Sequence, residues 1–280
     1  MTPGVPQTEE YANYANAHIH ELLDKYKPCI LWNDMGYPRS NKEHYLYNSF
    51  AKLFNKICPG ASLTNNRWGL HDTLQKHRFE GDFKTPEYTK LDVVTENHWE
   101  MNRGLGFSFG YNRIEGANET MTTGELSRLL IDVVSKNGNM LLDVGPLPDG
   151  SFSSIQELRL REFAVWCMDY MKLIHFSRPF LPVGSKPEGN FRYLRSKDDS
   201  KVVIFVMEPT SLEVMIPMSV NGSFHAAVVL PGEIKQVESK TIADGVKFSL
   251  PRWDQKNDWP IAIVLYGFTG KSQDIFKVQL

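Results

Sequence analysis

Two carboxylates stand where their neighbours could give them a chemical role. Asp34 follows the short apolar stretch 29–32, and Glu87 lies between Phe83 and Tyr88. An acid at the C-terminal end of a parallel strand faces the usual active-site mouth, and burial among aromatic rings raises a carboxyl pKa enough for proton donation. Plainer interpretations stay open, since Asp34 can cap a turn or a helix and Glu87 can be a solvated loop carboxylate.

Other side chains compete for, or could complement, these roles. Glu96, Glu100 and Glu115 rival Glu87 as proton donors by the same local reasoning. Arg67, next to a tryptophan, offers a fork of donors that suits hydroxyl recognition, or equally a structural corner. Rings beside charged groups suit sugars, which present apolar faces next to hydroxyls, although most rings in a globular protein belong to the core.

The sequence gives little support for a metal-binding site or a nucleotide-binding site. His71, His77 and His98 include no pair at helical ligand spacing, and no cysteine lies near them. No glycine-rich phosphate loop opens a helix, which weakens kinase and dehydrogenase interpretations. We therefore predict no metal and no cofactor.

Composition indicates a globular protein without a strongly charged partner. Among 280 residues, 31 Lys and Arg face 33 Asp and Glu, a net charge of −2, so neither nucleic acid nor a membrane is an expected partner. The first residues have neither a basic nor an apolar region of the kind a signal peptide needs, so none is predicted there. Cys29, Cys58 and Cys167 lack metal-binding spacing and are interpreted as buried thiols with at most one disulfide.

Apolar periodicity predicts alternating strands and helices up to about residue 178. The predicted helices are 8–26, about 41–56, one opened by the capping box of Thr122 and Glu125 with Gly138 just past its end, and 153–172. The predicted strands are 29–32, 61–65, 91–99 and 140–144. Such alternation predicts a parallel α/β arrangement. A closed (β/α)8 barrel needs eight strands and about 250 residues, so four units predict half a barrel.

Beyond residue 178 the pattern changes to short segments rich in Val, Ile and Phe, separated by turns. The predicted strands lie near 191–195, 202–207, 213–218, 225–230, 234–238, 246–250 and 260–266. Regularly spaced short strands are typical of an antiparallel β-sandwich, here of seven or eight strands. We therefore divide the chain into a partial barrel, 1–178, and a β-sandwich domain, 179–280.

Five segments, in order and spacing, resemble the retaining α-L-fucosidases of glycoside hydrolase family 29. They are LWNDMG at 31–36, NRWG at 66–69, FKTPEY at 83–88, WE with SFGYN from 99 to 112, and the stretch from DVVSKNGN to VGP at 132–146. The last is the most specific, and the match continues more loosely through the sandwich. This resemblance implies the C-terminal half of a (β/α)8 TIM-like barrel followed by an antiparallel β-sandwich domain.

The resemblance also implies roles for individual residues. Asp34 matches the nucleophile and Glu87 the acid/base, whose carboxyl groups lie about 5–5.5 Å apart in retaining enzymes. Arg67 is implied to contact the sugar or Asp34. The aromatic residues implied to pack against the sugar ring or its methyl group are Trp32, Tyr88 and Phe109. The expected substrate is a fucosylated glycan or glycoside. Family members are usually secreted, periplasmic or lysosomal, and the compartment of this chain is left open.

Two departures from the family pattern keep an alternative open. Asp143 stands where the family more often has asparagine. The earlier strands of the family barrel, with their sugar-binding histidines, have no counterpart in this sequence. A truncated and inactive fragment, or an accessory carbohydrate-binding protein, is therefore the alternative to an active fucosidase. A half barrel would leave sheet edges exposed, so we also expect aggregation or a homo-oligomer.

Overall fold

The computed structural model describes residues 5–38, 52–68, 81–187, 189–218, 223–243, 245–253 and 258–267. The chain divides into two compact units, one of residues 1–85 with 97–100 and one of residues 86–96 with 101–280. The described residues mix helices with several β-sheets, which agrees with the predicted α/β class. The predicted domain boundary after residue 178 stays a prediction.

Helix α1 (Glu9–Tyr26) opens the first unit and confirms the helix predicted at 8–26. The Thr8 side chain caps its N-terminus by accepting a hydrogen bond from the Tyr11 N–H at 3.2 Å. Acidic residues in the first turn complement the helix dipole. The helix ends at Lys27, whose φ of 48° lies in the left-handed region.

Two short parallel strands carry the loops that matter for the site. Strand β1 (Ile30–Leu31) pairs in parallel with β2 (Leu63–Thr64), within the segments predicted to be strands. Residues 52–57 are helical, and the rest of the helix predicted at 41–56 lies mostly outside the described residues. The buried side chains that pack these elements together are Leu23, Leu31, Tyr37, Phe54 and Trp68.

A disulfide joins Cys29 to Cys58, with their Cα atoms 5.6 Å apart. The interpretation of these two cysteines as buried thiols is therefore wrong, although a single disulfide is within what was expected. The two residues are 29 positions apart, and only the folded helical segment brings Cys58 beside the start of β1. Closing a loop of this length stabilises a fold by about 3–4 kcal/mol in the loop-entropy model. Cys167 is free and half-buried.

Strand β3 (Trp99–Gly104) begins where the strand predicted at 91–99 ends, so that prediction is wrong in position. The strand buries the side chains of Trp99 and Met101 almost completely. The strand signal is weak in the sequence because Arg103 and Gly104 close the segment and resemble the start of a loop.

The junction after helix α2 (Thr123–Val134) also differs from its prediction. The capping box is present, because Thr122 and Glu125 exchange both hydrogen bonds. Gly138, however, begins strand β4 (Gly138–Asp143), which pairs with β3. Asn137 takes the left-handed conformation instead, with a φ of 71°. Asparagine tolerates that region better than most residues, which explains the exchange.

The second unit adds helix α3 (Ser154–Ile174), close to the helix predicted at 153–172, and, among its described residues, nine further strands. These strands are β5 (Ser177–Pro179), β6 (Phe191–Ser196), β7 (Lys201–Val206), β8 (Glu213–Ile216), β9 (His225–Leu230), β10 (Glu233–Gln236), β11 (Glu238–Ile242), β12 (Gly245–Ser249) and β13 (Ile261–Tyr266). They form a six-stranded sheet, β10-β9-β13-β7-β6-β5, and a three-stranded sheet, β11-β12-β8, whose assigned pairings are antiparallel. The single strand predicted at 234–238 corresponds to two, β10 and β11.

The six-stranded sheet is covered on both faces. One face shares a core with the three-stranded sheet, through residues such as Ile204, Ile263 and Phe248. The other face packs against helices α2 and α3, where Trp166 and Tyr170 are fully buried. Burial on both faces explains why β7 and β13 read as continuous apolar runs instead of alternating.

A buried carboxylate ties helix α2 to the sandwich within the second unit. Asp132 is 4% exposed and accepts hydrogen bonds from Lys136 Nζ at 2.7 Å and Arg192 Nε at 2.6 Å. Burial by itself would raise the pKa of Asp132, but the two hydrogen bonds and the two positive charges outweigh it and lower that pKa.

We expect Asp132→Asn to lower the free energy of unfolding by about 3–5 kcal/mol at pH 7, because two cations lose a buried partner. The lowered pKa gives a stabilising contribution that is present above the unfolded-state pKa of about 3.9 and is lost as pH falls through the folded-state value. Urea unfolding at pH 7 and pH 3 measures both effects, with the exposed Asp92→Asn as control. A difference between wild type and Asp132→Asn that does not shrink at pH 3 would contradict this account.

Candidate active site

Asp34 lies three residues after the end of strand β1, at a tight bend of the chain. The next two residues, Met35 and Gly36, have φ values of 62° and 92°, and the Met35 N–H donates to Asp34 Oδ1 at 2.9 Å. The Gly36 N–H donates to the Arg67 carbonyl at 3.0 Å, which holds the turn against the loop after β2. The side chain of Asp34 is 57% exposed and is therefore open to a ligand.

Two asparagines lock the β1 and β2 loops together. The Asn33 N–H donates to Asn65 Oδ1 at 2.9 Å, and Asn65 Nδ2 donates back to the Asn33 carbonyl at 2.7 Å. Asn33 Nδ2 also donates to the carbonyls of Gly36 and Arg67. This network fixes the backbone on either side of Asp34, so the carboxylate is presented by a rigid support.

Arg67 contacts Asp34, Thr85 and Trp32 in the first unit. Its Nη1 lies 3.1 Å from Asp34 Oδ1, while Nε and Nη2 donate to the hydroxyl and carbonyl of Thr85, each at 2.8 Å. The guanidinium lies 5.0 Å from the centroid of the Trp32 ring. A planar fork with several fixed donors orients Asp34 in a way that a lysine ammonium cannot reproduce.

Trp32 combines an exposed ring with an anchored nitrogen. Its Nε1 donates to Glu100 Oε1 at 2.8 Å, and the ring is 37% exposed. Asp34, Arg67, Trp32 and Glu100 thus form one cluster within the first unit. Local sequence treats Glu100 only as a rival proton donor, whereas the structure gives it a role in positioning Trp32.

Glu87 lies in the second unit, on a segment held by strand β3. It bridges in parallel to Asn102, whose carbonyl accepts a hydrogen bond from the Tyr88 N–H at 2.9 Å. Glu87 is exposed, so the partial burial expected from its aromatic neighbours is wrong. The reason is that Tyr88 turns its ring onto other partners. The assignment of Glu87 as acid/base stays a prediction.

Tyr88 and Phe109 meet in the second unit. Their ring centroids lie 5.1 Å apart in an edge-to-face arrangement, and both rings are about one-third exposed. The backbone of Tyr88 is left-handed, with a φ of 52°, and its hydroxyl accepts a hydrogen bond from the Gly104 N–H at 3.1 Å. A Cβ at Gly104 would lie 2.0 Å from the Ser108 carbonyl oxygen, so glycine is required for this loop to close.

Comparison with known proteins identifies the family to which this chain belongs. A family model described as alpha-L-fucosidase matches residues 2–172, well over half of the chain. The chain belongs to the α-L-fucosidase family. Human plasma alpha-L-fucosidase is 29% identical over 227 residues, which are 77% of this chain and 46% of that protein.

Solved α-L-fucosidase structures share the fold. The Thermotoga maritima alpha-fucosidase in complex with a mechanism-based inhibitor is 30% identical, with a TM-score of 0.73 over 93% of this chain and 58% of that chain. The same enzyme in complex with fucose gives 30% identity and a TM-score of 0.71, over 93% of this chain and 57% of that one. The chain spans about half the length of the relatives it matches.

Three further features of this α-L-fucosidase family chain concern Asp143, metal binding and membrane helices. Asp143 ends strand β4, where it is half-buried, and its carbonyl accepts a hydrogen bond from the Leu105 N–H at 2.9 Å. In the part of the chain that the structure describes, no three His, Cys, Asp or Glu side chains are grouped to hold a metal ion. Within those same ranges no helix combines the length and the apolar character that crossing a membrane requires.

Proposed function

We propose that this chain carries the nucleophile and the acid/base of a retaining α-L-fucosidase, Asp34 and Glu87. The observation that carries the proposal is the Asp34–Arg67 pair at 3.1 Å, in the family's matched region and three residues after a parallel strand. An exposed carboxylate on a rigid turn, held by a guanidinium, is suited to attack an anomeric carbon.

The reaction proceeds in two displacements. In the first, an Asp34 carboxylate oxygen attacks C1 of α-L-fucose, the C1–O bond to the aglycone breaks, and Glu87 gives its proton to the departing oxygen. In the second, Glu87 takes a proton from water, whose oxygen attacks C1 and releases Asp34. Two inversions return the α configuration. Trp32, Tyr88 and Phe109 supply rings against the sugar and its methyl group, and Arg67 positions Asp34.

For the fold, we infer half of a (β/α)8 barrel in residues 1–178, joined to a β-sandwich in residues 179–280. Parallel pairing of successive segments supports the barrel, because β1 pairs with β2, and parallel bridges join Asn65 to Phe83 and Lys84 to Trp99. The substrate is a fucosylated glycan or glycoside. The solved T. maritima complex with fucose supports this choice by similarity. A homo-oligomer stays a prediction.

The experiment is hydrolysis of an aryl α-L-fucoside by the purified chain, followed by NMR of the first-formed sugar anomer. Release of α-L-fucose as the initial product is expected, because two displacements retain configuration. Initial β-L-fucose would contradict the double displacement. A folded chain that binds fucose without releasing chromophore would favour the inactive or accessory alternative, which the match to only about half of each relative keeps open.

Arg67→Lys is expected to lower kcat/KM for the aryl fucoside by about 10- to 100-fold. Lysine keeps the charge, but it cannot reach Asp34 and both Thr85 oxygens at once, so one or two charge-assisted hydrogen bonds are lost. Steady-state kinetics measures the change. The matched control is Arg161→Lys, a substitution of an exposed arginine on helix α3. Equal kinetic constants for the two variants would show that Arg67 does not act in the site.

A further inference from the structure

Thr85 is a buried residue whose two oxygens both contact the guanidinium of Arg67. Its side-chain hydroxyl accepts a hydrogen bond from Arg67 Nε, and its carbonyl accepts one from Arg67 Nη2, each at 2.8 Å. Thr85 is only 5% exposed, so both bonds lie largely out of water, where hydrogen bonds from a charged group are strong. Two acceptors on one planar fork fix both the position and the plane of the guanidinium.

The contact between Arg67 and Asp34 is too weak to hold the guanidinium by itself. It is a hydrogen bond of 3.1 Å to a carboxylate side chain that is 57% exposed. Ion pairs with exposed carboxylates contribute little, and a long arginine side chain loses much conformational freedom when it is held in one place. The orientation that Arg67 presents to Asp34 therefore depends on Thr85.

Asn66 determines which way the Thr85 hydroxyl points. Its Oδ1 accepts hydrogen bonds from the Thr85 hydroxyl at 2.9 Å and from the Thr85 N–H at 3.1 Å. A backbone N–H can only donate, so the oxygen of the Asn66 amide must be the atom on this side. Arginine also can only donate, so the hydroxyl gives its one proton to Asn66 and keeps a lone pair for Arg67 Nε.

The backbone that carries Thr85 is itself held within the first unit. Asn65, in the loop after β2, bridges in parallel to Phe83. Lys84 bridges in parallel to Trp99 at the start of β3. Because the segment leading to Thr85 pairs on both sides, it gives the Thr85 oxygens a rigid support.

We propose that Thr85 is a positioning residue of the active site, whose hydroxyl, held by Asn66, fixes the guanidinium that orients Asp34. This inference rests on the proposed function, because Asp34 is the carboxylate proposed to attack C1 of fucose. Thr85 acts through Arg67 and not on the sugar. Without the hydroxyl, the Arg67 Nε–H loses its acceptor in a buried place, so the guanidinium turns to find another. Asp34 is then no longer held in the direction of attack.

Thr85→Val and Thr85→Ser test the hydroxyl. Valine keeps the shape of threonine but removes the hydroxyl, whereas serine keeps the hydroxyl and loses a methyl group. With an aryl α-L-fucoside, kcat should fall about tenfold in Thr85→Val, as expected for one charge-assisted hydrogen bond, and by less than about threefold in Thr85→Ser. The matched control is Thr241→Val, which changes an exposed threonine on strand β11 and should retain the wild-type kcat. Equal losses in Thr85→Val and Thr85→Ser would overturn the proposal.

A double-mutant cycle separates positioning from a general effect on the loop. In the Arg67→Lys background, adding Thr85→Val should change kcat by less than about twofold, because lysine lacks the Nε–H that the hydroxyl accepts. A residue that only stabilises the loop would lower kcat by the same factor in both backgrounds. Effects of the two substitutions that simply multiply would therefore contradict the positioning role.

NMR of the full ¹⁵N-labelled chain reads the state of Arg67 without any turnover. The Arg67 Nε–H signal is assigned by its loss in Arg67→Lys. Its hydrogen exchange with water should be about tenfold faster in Thr85→Val than in the wild type, and within about twofold of the wild type in Thr85→Ser. Equal exchange in the wild type and Thr85→Val would overturn the proposal, even in an active enzyme. A chain that does not cleave the fucoside but shows the expected exchange would refute the proposed function, while Thr85 would still be the residue that positions Arg67.

Discussion

Asp34→Gly is expected to reduce kcat for an aryl α-L-fucoside by at least about 10³-fold, as removal of an attacking nucleophile does in other covalent enzymes. Glycine deletes the carboxylate and leaves a space beside Arg67. Azide can enter that space and attack C1 directly, so added azide should restore part of the turnover and give β-L-fucosyl azide by a single inversion. Chromophore release with and without azide, with NMR of the azide product, measures both effects.

The control for this prediction is Asp92→Gly, which removes an exposed aspartate outside the cluster. It should retain wild-type kinetics and gain nothing from azide. The Asp34→Gly variant should also keep the fold, because the Asn33–Asn65 hydrogen bonds that hold the loop do not involve the Asp34 side chain. Unchanged turnover in folded Asp34→Gly would end the assignment of the nucleophile.

Glu87→Ala is expected to produce a loss that depends on the leaving group. For a fucosyl disaccharide, whose leaving alcohol needs a proton, kcat/KM should fall by about 10²–10⁴-fold. For an aryl fucoside with an acidic phenol the first step needs little help, so the loss there should be much smaller. Steady-state kinetics with aryl fucosides whose phenols differ in acidity measures this effect. The kcat/KM of Glu87→Ala should depend more steeply on the pKa of the leaving phenol than the kcat/KM of the wild type does.

The rival glutamates supply the controls for Glu87. Glu115 accepts hydrogen bonds from the Phe107 N–H and from Asn112 Nδ2, which gives it a structural role in its loop. Glu96→Ala and Glu115→Ala should therefore change rates equally for good and poor leaving groups. If one of them showed the leaving-group dependence and Glu87→Ala did not, the acid/base role would move to that residue.

Periodicity predicted the parts of the fold that depend on local burial. Helices α1 and α3 and most sandwich strands lie within a few residues of their predicted positions, because each buries a regular pattern of apolar side chains. Strand β3 was misplaced, since its last residues, Arg103 and Gly104, carry no strand signal. Gly138 was misassigned because a neighbouring asparagine took the left-handed position that usually falls to glycine.

The sequence suggested which side chains to consider for the candidate site, but it did not show which of them are in contact. A carboxylate after a short apolar strand pointed to Asp34, and the family resemblance pointed to Arg67. No local pattern shows that Thr85 anchors Arg67, or that Glu100 holds the Trp32 nitrogen, since both depend on pairings far apart in sequence. The pairing of Cys29 with Cys58 was out of reach for the same reason.

In the proposed mechanism, Asp34 forms a covalent fucosyl intermediate. Incubation of the chain with 2-deoxy-2-fluoro-α-L-fucosyl fluoride should trap this intermediate. The fluorine at C2 slows both displacements, whereas the good fluoride leaving group restores the rate of the first one only, so the intermediate accumulates. Intact-mass measurement followed by peptide mapping should find one 2-fluorofucosyl group, attached to Asp34 and absent from Asp34→Gly. Labelling of another carboxylate, or no labelling of a folded chain that binds fucose, would show that Asp34 is not the nucleophile.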